Sequence, residues 1–98
     1  MADNNPKQIS LEISPEMAGG VYSNLTIINH SGSEFVLDFA QMLPGAPKPK
    51  VASRIVLTPD HAKRLLAALS ENVSKYESEY GEIRMHKTGI ALGPIGEA

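Results

Sequence analysis

The sequence contains no cysteine, which removes disulfides, thiolate metal sites and cysteine nucleophiles together. It has no apolar run near the ~18 residues that a membrane-spanning helix needs. Its first residues, Met1-Ala2-Asp3-Asn4-Asn5-Pro6-Lys7, are polar and lack the apolar stretch of a signal peptide. The expectation is a cytoplasmic protein with no membrane contact. Net charge is small as well, −2 over 98 residues, so no global field draws the chain toward nucleic acid or an anionic surface.

What is present is ordinary globular material: 42% apolar and 20% charged residues. A chain of this length makes one domain and buries only about 60–70% of its unfolded surface, so its stability is thin unless copies associate. The charge is unevenly spread. Residues 1–47 carry −4, residues 48–64 carry +4 and residues 65–98 carry −2. The middle block, with Lys48, Lys50, Arg54, Lys63 and Arg64, is the only basic one.

Residues 1–7 read as a disordered tail, 8–83 as the domain and 84–98 as a flexible tail rich in glycine. Within the domain, Ile9, Leu11 and Ile13 alternate with Ser10, Glu12 and Ser14, the period of a half-buried strand. Pro15 ends it, and Met17-Ala18-Gly19-Gly20 reads as a loop. A second strand is predicted from about Val21 to His30, with apolar groups on both faces. The short Ser31-Gly32-Ser33 connection leads into a third, Glu34 to about Met42, and together they predict a hairpin. On the third strand Phe35, Leu37 and Phe39 share one face, and Val36 and Asp38 the other.

Prolines 44, 47 and 49 then interrupt any sheet ladder and predict an exposed loop. A fourth strand follows from about Val51 to Leu57, with Val51, Ile55 and Leu57 toward the core and Arg54 and Val56 opposite. Asp38 and Arg54 thus become candidates for a cross-strand ion pair.

Thr58-Pro59-Asp60 is a helix start, supplying a capping hydroxyl, a proline for the first turn and an acid for the dipole. From there Ala62, Leu65, Leu66, Leu69, Val73, Tyr76 and Tyr80 recur at steps of three and four. Gly81 is placed to stop the helix in a left-handed cap. Such a helix, about 33 Å long, outruns strands of about 20 Å. The excess near Leu69, Val73, Tyr76 and Tyr80 predicts self-association. The fold class is therefore α+β: a four-stranded, meander-like antiparallel sheet followed by one long C-terminal amphipathic helix.

No chemistry is encoded by a recognisable motif. His30, His61 and His86 fall on separate elements without metal-site spacing. Glu34 and Asp38 lie on one strand face, but a solvated face explains them. There is no nucleophile elbow and no phosphate-cradling glycine loop. Neither a cofactor nor an enzymatic activity is expected.

Lys48, Lys50, Arg54 and Arg64 form a candidate patch for a macromolecular partner, or for nucleic acid. The acidic total and the missing stacking aromatics stand against nucleic acid. A small ligand-binding domain or enzyme is the remaining alternative and would need a deep pocket near His30 or Asp38.

Taken together, several strings resemble a family of short bacterial proteins, domain of unknown function 3467, over about residues 8–85. They are Tyr22-Ser23-Asn24, Glu34-Phe35-Val36-Leu37-Asp38-Phe39, Pro44-Gly45, Ser53-Arg54-Ile55-Val56-Leu57-Thr58-Pro59, Lys63-Arg64-Leu65-Leu66, Tyr76-Glu77 and Gly81. The resemblance brings no catalytic residues. Relatives in some bacteria are encoded beside RNA polymerase subunits, which implies a transcription-linked role. The functional expectation is a non-catalytic interaction module, self-associating as a homodimer.

Overall fold

A computed structural model of the chain describes residues 9–86 and 96–97. The expected tail at 1–7 lies outside these residues, as does most of that at 84–98.

The predicted hairpin forms, and it organises the sheet. Strand β1, Leu25–His30, pairs antiparallel with β2, Phe35–Gln41, from Leu25 opposite Ala40 to His30 opposite Phe35. The Ser31 amide donates to the Glu34 carbonyl at 2.9 Å and closes the connection. His30 and Phe35 stack across its end with ring centroids 5.3 Å apart.

β1 begins later than the apolar pattern suggests, because side chains take over the ladder before it. Asn24 accepts from the Met42 amide at 2.7 Å and donates to the Met42 carbonyl at 2.9 Å. The Ser23 hydroxyl donates to the Ala40 carbonyl at 2.8 Å, and the Gln41 amide group donates to the Tyr22 carbonyl at 3.0 Å. The Tyr22-Ser23-Asn24 string thus acts as a polar clasp in place of strand pairing.

After β2 the chain turns at Leu43-Pro44-Gly45-Ala46. Pro44 supplies the fixed φ, Gly45 the positive one (82°), and the Ala46 amide donates to the Leu43 carbonyl at 3.1 Å. Strand β3, Lys50–Leu57, then pairs antiparallel with β2. A register shift between Phe39 and Ala40 sets Val51 opposite Ala40. The inserted residue reverses the alternation there, so Val51 belongs to the Asp38 and Arg54 face and not, as expected, to that of Ile55 and Leu57.

The three strands lie in the order β3-β2-β1. The remaining described residues, Gly96–Glu97, pair with Ile28 and Ile27 along the other edge of β1.

The expected strand at Ile9–Ser14 is not formed. These residues form no strand and are exposed, with Ile9, Leu11 and Ile13 turned to solvent. Alternation makes a segment fit for a sheet, but a strand also needs a neighbour, and the chain's own sheet does not supply one here. The loop expected after it contains one helical turn, α1, Pro15–Ala18. Ser14-Pro15-Glu16 repeats the start signal of Thr58-Pro59-Asp60, so the clue was present. Ser14 makes no side-chain cap, and Gly19 and Gly20 end the turn.

The long helix α2 spans Pro59–Tyr80, as the stripe predicts. Thr58 caps it by accepting from the His61 amide at 3.1 Å. Gly81 ends it with φ 101° and ψ 167°, while its amide donates to the Glu77 carbonyl at 2.9 Å. That ψ lies outside the left-handed cap that was expected, in a region only glycine occupies freely.

Thr58 alone separates β3 from α2. Pro59 holds it extended (φ −70°, ψ 156°), so the chain leaves the strand without the slack that folding the helix back over the sheet requires. Accordingly α2 has no buried residue, and its main neighbour is β3. The buried apolar side chains of the described residues are Leu25, Leu37 and Ala40.

Candidate interaction surfaces

The most developed polar feature is the pair predicted between β2 and β3. Asp38 stands directly opposite Arg54. The guanidinium grips the carboxylate with two hydrogen bonds, Nε to Oδ1 and Nη2 to Oδ2 at 2.8 Å. The two side chains differ in setting: that of Asp38 is 11% exposed, that of Arg54 65%.

The hydrogen bond from Arg54 holds the Asp38 carboxyl below the ordinary carboxylate range, against a smaller opposing effect of burial. Arg54 is pushed up in turn by the same bond. A bidentate arginine–carboxylate pair at the middle of two adjacent strands fixes their register as well as satisfying the buried charge.

The four cations proposed as a patch sit on the proline loop, on β3 and on α2. Lys48 lies on the proline loop and Lys50 begins β3, opposite Gln41. Arg64 is in the second turn of α2, beyond the far end of the same strand, about 23 Å from Lys50 along β3 alone. Arg54 is engaged with Asp38, and Arg64 donates to Asp60 at 2.9 Å. Half of the set is therefore already matched to a carboxylate. Among the described residues no ion pair involves Lys48 or Lys50.

The apolar stripe of α2 is open along its length. Leu69 is 57% exposed, Val73 37%, Tyr76 50% and Tyr80 68%. The two tyrosine rings lean on each other at 4.9 Å and 46°. Exposure is not confined to the distal end, where the mismatch of lengths placed it: Leu65 and Leu66 near the start are also open.

Residues absent from the predicted site are also open, including Leu66 on the helix and, on β3, Val56. The three-and-four spacing marked Leu66 in the sequence. Nothing marked Val56, because a covered sheet face and an uncovered one read alike.

Among the described residues, no cluster of three histidine, aspartate or glutamate side chains is placed to hold a metal ion. None of the helices they form is long and apolar enough to cross a membrane.

Searches of curated proteins and of solved structures return no significant match. The family model described as Protein of unknown function (DUF3467) matches residues 1–85. With nearly all of the folded part covered, the chain belongs to the DUF3467 family.

Proposed function

We propose that the chain is a non-catalytic protein-interaction module that works as a homodimer in the bacterial cytoplasm. One observation carries this reading: among the described residues, three buried apolar side chains are set against an open apolar surface on α2, on β3 and on the Ile9–Ile13 segment. The largest apolar patch on an ordinary monomer is about 300–600 Å². A specific dimer needs about 800 Å² from each partner. The exposed groups of α2 and β3 lie on adjoining elements and suit the larger role. A second copy is the occupant that every chain has at hand, and a two-fold pairing covers the same groups on both.

The partner proposed for such a dimer is transcription machinery, a reading supported only by the association that the family resemblance implies. Co-purification with RNA polymerase from the native cell tests that part. Contact with nucleic acid through Lys48 and Lys50 has weaker support, since Arg54 and Arg64 are each held by an aspartate.

Light scattering tests the dimer. At micromolar concentration the mass is expected at twice that of the chain. Val73→Glu, which sets a charge in the open stripe, is expected to abolish the dimer, and much of the helical circular dichroism with it. A wild-type monomer that unfolds cooperatively overturns the reading.

A further inference from the structure

The stripe of α2 has a finer regularity than amphipathicity requires. Pro59, Ala62, Leu66, Leu69, Val73, Tyr76 and Tyr80 are separated by alternating steps of three and four. That is an unbroken heptad seam, with Pro59, Leu66, Val73 and Tyr80 at a and Ala62, Leu69 and Tyr76 at d. A 3.5-residue repeat keeps one narrow line facing a second helix, whereas packing on a sheet does not demand it. The line is free in this structure, since α2 buries none of its residues.

From this seam we infer that α2 pairs with α2 of a second copy, and that the two helices run antiparallel. The inference rests on the homodimer proposed above and adds which surface is used and in which direction.

Direction follows from size and charge. In a parallel pair each layer sets a residue against itself, so Tyr80 would meet Tyr80, and Ala62 would meet Ala62 and leave a gap. Antiparallel, with a against d, the seam aligns from Ala62 to Tyr80 when Tyr80 faces Ala62, Tyr76 faces Leu66 and Val73 faces Leu69 of the other copy. The largest residue then stands against the smallest, and total volume varies less from layer to layer than in the parallel pair, as close packing favours.

The flanking positions agree. The e positions are Lys63, Ser70 and Glu77, and the same alignment sets Lys63 of each copy beside Glu77 of the other, twice by symmetry. Glu77 accepts from the Ile83 amide with one oxygen at 2.9 Å, and among the described residues no ion pair engages its second. Among the described residues no ion pair engages Lys63. A parallel pair, which matches g with e of the next heptad, sets Leu65 beside Ser70 and Asn72 beside Glu77 and gains no ion pair.

Because the chain lacks cysteine, disulfide trapping reads the arrangement directly. Ala62→Cys and Tyr80→Cys are prepared separately in the full chain, refolded together and oxidised mildly, with light scattering on each variant before oxidation. The expected product joins position 62 of one chain to position 80 of the other, and neither variant alone cross-links. In an antiparallel pair, like positions lie about 27 Å apart along the axis.

Disulfides joining 62 to 62 and 80 to 80 overturn the antiparallel direction. A dimer that traps no disulfide in any combination overturns helix pairing while leaving the homodimer standing. A monomeric wild type removes both.

Charge exchange gives a second readout. Lys63→Glu is expected to weaken the dimer about tenfold. Adding Glu77→Lys to it is expected to recover part of that loss. Full insensitivity to Lys63→Glu, or no recovery, counts against the alignment.

Discussion

Two residues carry more of the structure than their size suggests. Asp38 is a nearly enclosed carboxylate that depends on one guanidinium. Its pKa is lowered on folding, so the pair's contribution to stability is fully present above the unfolded value, about 3.9, and is lost as pH falls through the folded one. Thermal melts are therefore expected to be insensitive to this pair above about pH 5 and to fall below about pH 4. Asp38→Asn should remove that component of the acid response. Equal acid sensitivity in wild type and variant would show that the pair contributes nothing.

Gly81 is the other such residue. A Cβ there meets no atom within 4 Å, so any cost of substitution comes from the φ of 101° alone. Gly81→Ala is expected to destabilise by about 1–3 kcal/mol, read as a lower denaturation midpoint with an unchanged slope. A neutral result would mean that the helix end relaxes freely.

At the scale of elements, the sequence is legible wherever a local rule decides. Hairpin, proline loop and helix were each announced by their own residues: Ser31-Gly32-Ser33, prolines 44, 47 and 49, and Thr58-Pro59-Asp60. The Asp38–Arg54 pair was readable because period two puts both on one face. What was not legible depended on contacts from elsewhere. Ile9, Leu11 and Ile13 have the pattern of a strand but no neighbour within the chain's own sheet. The shift at Ala40 moved Val51 to the other face, which alternation alone does not reveal. The basic block was contiguous in sequence and is spread along β3 and α2 in space. Helix length pointed only to the distal end of the stripe, whereas the stripe is open from Leu65 onward, since one extended residue joins β3 to α2.

For the whole molecule, the proposed homodimer would join folding and association in one event, because few side chains are buried among the described residues. An obligate dimer has stability that depends on protomer concentration. The midpoint of thermal unfolding is accordingly expected to rise with protein concentration across the micromolar range, in calorimetry or circular dichroism. A midpoint independent of concentration would mark a self-sufficient monomer.

The joint at Thr58 has a mechanical consequence. A linker of several residues acts as a swivel, but here the turn out of the sheet is made by one threonine whose torsions are pinned by its own cap and by the proline after it. The helix therefore has few torsions to swing about at its root. A pull on its far end is passed to the sheet through that one residue.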